Sequence, residues 1–506
     1  MKINLKNIFT SIALFFLPAV NFIQANINLI DINIFGNLLF INIICYILIL
    51  IFAYLISFFS KKKIFYSSFI CLILIYNIFF YFNKIKIFFL DYTPLAFYLS
   101  LAAIIILSLV ILKIFKNKII SKFIIIYFSL SYLSFIFLFF LSFFHNSEVN
   151  TNFENKAQIF KDEKIMNSKS NNKNIYVIIM DGMTSLDYAK KIFNINNETH
   201  LQFLKKYDYN YYNSRSNYNT TYLTMAAILQ LDYIVKPNSP RYFDRYNFWP
   251  YLLGKKEKET NLIRILKNND YNFKWFGNMT ASCKNYSYDS NFCPPNEINS
   301  TYYVFNSFFS STPIITILRK FFPKIMLSYY GNKIDAISNF INSNKIYKNN
   351  FTLIHHLAPH PPYIHNADCS IKKKINTNTS VTSENSFGYK DSYLCSLKKI
   401  EELIKFLEKK DPKALVMISA DHGWNINNNM PDEEYDKINE KTIIYNSIKV
   451  DKKCKRELPE LFDNINSIRL IIGCAINKKP IFIKSETFYG YQEENKLKFG
   501  KVYKLN

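Results

Sequence analysis

No two cysteines of this 506-residue chain stand in a C-x-x-C knuckle, which excludes a zinc ribbon or finger as the organising element. Acidic residues are few beside basic ones: 38 Asp and Glu face 62 Lys and Arg, for a formal charge of +24. That balance fits an anionic partner such as acidic lipid, lipopolysaccharide or phosphorylated glycan. The joint excess of Lys, Asn, Ile and Phe is also what an AT-rich genome imposes, so charge alone does not name the partner. Charge is almost missing from five hydrophobic runs near residues 8–24, 34–59, 64–82, 93–112 and 120–144. A pore or transporter would place ionisable groups at that depth, so these runs read as an anchor.

Each run is long enough, or nearly so, to cross a bilayer core of about 30 Å. Five crossings put the two ends of the segment on opposite sides. Lys2, Lys6, Lys61, Lys62, Lys63, Lys113, Lys116, Lys118 and Lys122 fall on one side, and Lys84 and Lys86 on the other. The positive-inside rule then makes the N-terminus cytoplasmic and places everything after Phe144 outside. A cleaved signal peptide is the competing reading of the first run, but four further runs favour a multi-pass membrane domain. The expected organisation is a transmembrane anchor over 1–145, a linker over 146–173 rich in Asn, Lys, Ser and Glu with one short surface helix around Ile159, Phe160 and Ile165, and an external domain over 174–506. Nucleic acid is excluded as a partner of a domain on that side.

Within 174–506, apolar strand patterns alternate with helical ones: Ile175–Met180, the helix after Thr221, 261–268, 351–357, 392–409 and 414–420. Such alternation predicts an α/β sheet with helices on both faces, one domain with a small C-terminal subdomain. Six external cysteines, 283, 293, 369, 395, 454 and 474, form an even set suited to an oxidising compartment. Local pairing, 283 with 293, 369 with 395 and 454 with 474, is the simplest of the fifteen possible connectivities.

Two of the predicted strands end on chemistry. IYVIIMDG closes on Asp181 and Gly182, and LVMISADHG on Asp421, His422 and Gly423. Parallel strands that deliver carboxylates and an imidazole at their C-terminal ends suggest one metal site at the sheet edge. Thr221 opens the helix-like run 222–231, where free amides and the dipole favour a phosphate or sulfate group, and where its hydroxyl could join the ligands and act as nucleophile. Each piece alone has an ordinary reading, Asp-Gly as a turn and Thr220-Thr221 as a helix cap. Their order along the chain raises all of them together.

That order, with HHLAPHPPY from His355 to Tyr363 between the two strand ends, resembles the membrane-anchored, sulfatase-like branch of the alkaline phosphatase superfamily. Phosphoethanolamine transferases and lipoteichoic acid synthases are the members most similar in arrangement. The resemblance implies an alkaline-phosphatase/sulfatase-like α/β sandwich behind a five-helix transmembrane domain. It implies one divalent metal, zinc or manganese, held by Asp181, Thr221, Asp421 and His422. Those transferases usually carry Glu where this chain has Asp181. No Cys or Ser followed by x-Pro-x-Arg is present, so formylglycine chemistry is not expected. Only seven histidines occur and none follows His422, whereas two-zinc members take a further histidine downstream; one catalytic ion is therefore expected.

His355 and His360 are five apart in a proline-rich loop, as in the similar segment of phosphoethanolamine transferases, and are expected to act on the transferred group or the leaving oxygen. His356, Arg215 and Arg469 are the candidate substrate contacts, a guanidinium being suited to bidentate capture of phosphate. The expected activity is transfer of a phospho-substituent, such as phosphoethanolamine or glycerophosphate, from a phospholipid or lipid-linked donor to a cell-surface glycan or lipid through a phosphothreonine intermediate. The alternatives are hydrolysis of sulfate or phosphate esters on surface polysaccharide, and a non-catalytic membrane scaffold. The expected location is the bacterial cytoplasmic membrane, with the catalytic domain periplasmic or extracellular. The topology is tested by cysteine labelling in intact cells: Asn150→Cys should react with an impermeant maleimide, and Lys62→Cys only after permeabilisation.

Overall fold

The computed structural model describes residues 11–12, 14–20, 32–59, 69–70, 72–77, 158–165, 173–234, 254–255, 258–277, 308, 335–346, 348–361, 363–372, 383–424, 440–457, 462–492 and 500–505. The chain divides into two compact units, one of Met1–Thr151 with Glu297–Phe322, the other of Asn152–Asn296 with Pro323–Asn506.

In the first unit the helix Ile32–Phe59 contains Leu38–Phe59, which has a mean hydropathy of 2.8 and is long and apolar enough to cross a membrane. It is the one such span among the described residues. Phe40, Phe52, Tyr54, Phe58 and Phe59 are exposed along it, as a lipid-facing surface requires. Its inner side meets helical residues of the neighbouring runs, where Leu14, Phe15, Ala53, Phe69, Ile73 and Tyr76 cluster. Hydroxyl and amide groups there find partners, Tyr76 Oη donating to Asn42 Oδ1 at 2.6 Å and Asn77 Nδ2 to the Leu14 carbonyl at 2.8 Å. The expected runs at 93–112 and 120–144 lie outside the described residues, so the five-helix count stands as an expectation.

The second unit is built on a six-stranded sheet: Ile175–Met180 (β1), Asn210–Tyr211 (β2), Asn272–Phe276 (β3), Asn350–His356 (β4), Leu415–Ala420 (β5) and Asn446–Lys449 (β6). The spatial order is β2-β6-β5-β1-β4-β3. Strands β5, β1, β4 and β3 are mutually parallel, and β6 runs antiparallel to both β5 and β2. The central strands are buried on both faces, which explains why IYVIIM and LVMISA read as unbroken apolar runs rather than alternating ones.

Two layers of helices cover the sheet. Ile175, Val177, Ile179, Phe351, Leu353 and Met417 pack on one side against the helices Thr221–Gln230 (α1), Asn261–Lys267 (α2) and a later one over 464–476. Tyr176, Ile178, Met180, Ile354, Val416 and Ile418 pack on the other against Ala336–Ser343 (α3) and Ser383–Lys410 (α4). The helix over 464–476 is Asn464–Ile476 (α5), capped by Asp463, whose side chain accepts from the Asn466 amide. The short strands Ser214–Arg215, Ile443–Ile444 and Phe462–Asp463 form a second small sheet, and Thr487–Gln492 pairs with Gly500–Leu505 as a hairpin.

The expected helix around 159–165 is not formed. Ile159 is buried in the hydrophobic core of the second unit, and Ile159, Lys161 and Glu163 exchange backbone hydrogen bonds with Ile481 and Lys479 at 2.9–3.0 Å. An extended strip wins because those backbone groups find partners on the domain that a surface helix would forgo. Disulfides join Cys369 to Cys395 and Cys454 to Cys474, as local pairing predicts; Cys283 and Cys293 lie outside the described residues. Since Ile178 is fully buried in the central strand, Ile178→Ala should lower stability by about 3 kcal/mol, measured by denaturant unfolding of the solubilised protein followed through tryptophan fluorescence.

Candidate active site

Three adjacent parallel strands deliver the site. In register, Met180 sits beside Ala420 on one side and Ile179 beside His355 on the other. The residues that follow, Asp181 and Asp421, therefore leave the sheet at matching positions one strand spacing apart, about 4.8 Å. Both carboxylates are buried, as is His355. One ligand atom from each of Asp181, His355 and Asp421 lies within 4.8 Å of the other two. His355 Nε2 stands 3.7 Å from Asp181 Oδ2.

His422 closes the group. Its Nε2 lies 3.5 Å from Asp181 Oδ1, 3.7 Å from Asp421 Oδ2 and 3.2 Å from Thr221 Oγ1. Its Nδ1 donates to the Gly423 carbonyl at 2.8 Å, because a carbonyl only accepts, which leaves Nε2 as the nitrogen that faces the cluster. Thr221 is the first residue of α1. Thr220 before it is extended and makes no side-chain capping bond, so it leaves the first-turn amides of α1 without a side-chain cap.

Glycine is required at two places in this frame. Gly182 has φ +72°, a left-handed turn that carries its amide back to Asp421 Oδ1 at 3.0 Å. Gly423 is pressed against backbone: a Cβ there would come within 1.9 Å of the Glu440 carbonyl oxygen. Asp421 Oδ1 also accepts from the His422 amide at 2.8 Å, which fixes the carboxylate and leaves its other oxygen for the cluster. Asn464, at the start of α5, donates to the Ala420 carbonyl at 2.8 Å and to Ser419 Oγ at 3.1 Å, bracing the end of β5. Nothing in the local sequence around Asn464 marks it for this task.

Asp181 Oδ1, Asp421 Oδ2 and His355 Nε2 are all buried without a hydrogen-bond partner. Two carboxylates and an imidazole so placed are strongly unfavourable unless a proton or a cation joins them. Burial and the neighbouring Asp421 push the Asp181 carboxyl well above the usual range, against the opposing pull of His422. Burial likewise lowers His355 to about 4. A divalent ion would satisfy these oxygens and nitrogens together, and a set of oxygen and imidazole donors without thiolate suits zinc or manganese. The residues fit the metal. His355, expected only as a catalytic group, stands among the ligand atoms.

The remaining candidates are placed as follows. His360 lies in the loop after β4, which contains a cis Ala358–Pro359 bond. Its amide donates to the Asp181 carbonyl at 3.1 Å and its Nδ1 to the Pro361 carbonyl at 2.7 Å. That amide hydrogen bond ties the His360 backbone to the residue that follows β1. His356 is turned away from it. Strand alternation puts it on the opposite face of the sheet, where its Nδ1 accepts from the Ile337 amide and Asp335, His365 and Lys399 surround it, so the expected substrate contact is not there. Arg469 is 1% exposed and is occupied by backbone, its Nε donating to the Leu231 carbonyl at 2.7 Å and its Nη1 to that of Ile481. A charge in an apolar helix has found a structural use, as a tie between the end of α1 and the strip after α5. Arg215 is exposed on its short strand beside Ile443 and Asp463.

A family model described as sulfatase matches residues 173–448, a span that holds Asp181, Thr221, His355, Asp421 and His422. The chain belongs to the sulfatase family. It is thereby an enzyme of the alkaline phosphatase superfamily. No curated protein matches it. Similar solved structures include the C-terminal periplasmic domain of EcEptC from Escherichia coli, at 12% identity over 68% of this chain and 94% of that one with a TM-score of 0.40. The integral membrane lipooligosaccharide phosphoethanolamine transferase A (EptA) from Neisseria meningitidis aligns at 14% identity over 84% of this chain and 90% of that one, TM-score 0.38. The phosphonate monoester hydrolase of Agrobacterium radiobacter aligns at 11% identity over 64% and 81%, TM-score 0.38.

Proton and cation compete for the same atoms of this sulfatase-family site. After chelation, a His355 held near 4 contributes stability that is complete above the ordinary value of 6.5 and is lost as pH falls towards 4, because the unfolded chain takes the proton first. The raised Asp181 pKa means that ion binding must displace a proton more often as pH falls. Addition of Zn2+ or Mn2+ to the chelated protein should therefore raise the melting temperature more at pH 7.5 than at pH 5, measured by calorimetry.

Proposed function

We propose that this sulfatase-family protein is a metal-dependent transferase that moves a phospho-substituent, such as phosphoethanolamine or glycerophosphate, from a lipid-borne donor to a cell-surface glycan or lipid. The observation that carries the reading is Thr221 Oγ1, set at the head of α1 and 3.2 Å from His422 Nε2 beside two buried carboxylates. A hydroxyl in that position is a nucleophile in waiting, since nothing about helix capping requires carboxylates beside it. A bound divalent ion supplies Lewis acidity, easing ionisation of the hydroxyl and neutralising phosphoryl charge.

The residues divide the work. Thr221, having released its proton to solvent, attacks the phosphorus of a phosphodiester; the Oγ–P bond forms as the P–O bond to the donor alcohol breaks. The helix amides at Thr221 face the phosphoryl oxygens. His360, whose Nδ1 proton is held by the Pro361 carbonyl, enters this step as the imidazolium and gives its Nε2 proton to the leaving alcohol, becoming neutral. The phosphothreonine so formed is resolved in reverse: His360 takes the proton of the acceptor hydroxyl, which attacks phosphorus and frees the threonine oxygen. Asp181, His355, Asp421 and His422 would hold the ion that this chemistry needs.

The hydrophobic N-terminal unit supports a lipid-borne donor, because confinement of enzyme and donor to one bilayer raises their effective concentration. The five-span anchor, with the catalytic part on the external side of a bacterial cytoplasmic membrane, belongs to the same proposal. Absence of a Cys or Ser followed by x-Pro-x-Arg speaks for threonine chemistry over sulfate-ester hydrolysis by formylglycine. Intact-mass measurement after incubation with phospholipid, without acceptor, should reveal an added phospho-substituent that localises to Thr221 and is absent in Thr221→Ala. An adduct that persists in Thr221→Ala would assign the wrong nucleophile. Phosphate-ester turnover indifferent to a glycan or lipid acceptor would make the protein a hydrolase.

A further inference from the structure

Helix α4 carries two tyrosines one turn apart, Tyr389 and Tyr393, on the side that packs against the sheet; both are buried. A phenol sealed from water keeps its proton and needs both a partner for its hydrogen and one for its oxygen. Tyr389 finds both in the turn that follows β1. Its hydroxyl donates to the Gly182 carbonyl at 2.9 Å and accepts from the Thr184 amide at 3.1 Å. That turn holds Asp181 at its first position, and the Gly182 amide binds Asp421 Oδ1. One phenolic oxygen thus clips the backbone that aims one carboxylate and steadies the other.

The ring of Tyr389 touches the other two site segments. It lies 4.6 Å between centroids from Trp424, two residues beyond His422, and edge-on to Tyr363 at 6.2 Å, three residues beyond His360. Gly388 beside it permits this approach, since a Cβ there would lie 2.8 Å from the Tyr363 ring. Three loops that leave three different strands therefore converge on one side chain from a helix that contributes no ligand. Tyr393 makes a useful contrast: equally buried, it reaches only the Thr184 carbonyl, at 3.4 Å.

We infer that Tyr389 is a positioning residue of the metal centre, its hydroxyl holding the Asp181–Thr184 turn in the shape that lets Asp181 and Asp421 share one ion. The inference rests on the metal-site reading above and is independent of which group is transferred. Removing the hydroxyl leaves the Gly182 carbonyl and the Thr184 amide without their partner and lets the turn relax, which acts on the ion through Asp181. Groups that orient ligands in this way typically change metal affinity by about 10- to 100-fold when lost.

The test is Zn2+ affinity of the full-length solubilised protein, measured by competition with a chromophoric chelator after metal removal. Tyr389→Phe should weaken binding at least about tenfold, with Tyr393→Phe staying within about threefold of wild type, although each removes one buried phenolic oxygen. Equal losses in the two variants, or none in Tyr389→Phe, overturn the assignment. Asp421→Asn separates the two levels of the argument: if it binds zinc as wild type does, the metal site itself is wrong, whereas loss there with full affinity in Tyr389→Phe defeats only the role of Tyr389. Should Tyr389→Phe fail to fold, deuterium exchange in the wild type decides, because the clip predicts that Zn2+ slows exchange of the Thr184 amide, and an unchanged rate refutes it.

Discussion

Two carboxylates buried side by side at the edge of a parallel sheet are the constraint around which this catalytic domain is arranged. Asp181 and Asp421 occupy equivalent places at the ends of neighbouring strands, and strand spacing alone brings them close. Like charges excluded from water repel strongly and lose their hydration, so the arrangement persists only with a proton or a cation between them. The rest of the site answers that need. His355 and His422 bring ring nitrogens, the Gly182 and His422 amides satisfy one oxygen of Asp421, and the unpartnered oxygens mark the place a cation would take. In the proposed reaction Thr221 would gain its chemistry from company rather than from its own character.

Rigidity around this point comes from layers that have no part in the reaction. The two hydrophobic faces of the sheet hold β5, β1 and β4 in register, and a shift of one residue would point each following ligand to the wrong face. Asn464 from α5 and Tyr389 from α4 reach the strand ends from opposite sides of the sheet. Arg469 does similar work at a distance, where its guanidinium gathers carbonyls from two segments of the chain. Membership of the sulfatase family is consistent with this division, in which a common frame presents a small set of ligands and the loops choose the substrate.

The residue types of the candidate metal site were legible because they are encoded locally. An apolar run that stops at an acid, twice, is a strand that ends on a ligand, and Asp181, Asp421 and His422 could be named from that pattern. Thr221 was legible from a polar approach leading into a helix. His355 was read as a catalytic group and falls among the ligand atoms because β4 lies next to β1, a neighbourhood that no window of residues contains. His356 was misplaced for a simpler reason: adjacent strand residues face opposite ways, so only one of the two histidines can look at the site. The strip at 159–163 was taken for a surface helix because its partner, 479–481, is more than three hundred residues away.

The amino-acid sequence by itself determined the membrane-compatible first part, the α/β alternation, the local disulfides Cys369–Cys395 and Cys454–Cys474, and the residue types of a metal site, since each depends on side chains close together along the chain. Tertiary structure decided which of those residues meet. Strand order placed Asp421, Asp181 and His355 in one row, the fold sent His356 and Arg469 elsewhere, and α4 delivered Tyr389 to a turn two hundred residues earlier. The physical reason is that hydrogen-bond ladders and buried faces act between segments regardless of their separation in sequence, so proximity in space is a property of the packed sheet and not of any stretch of it.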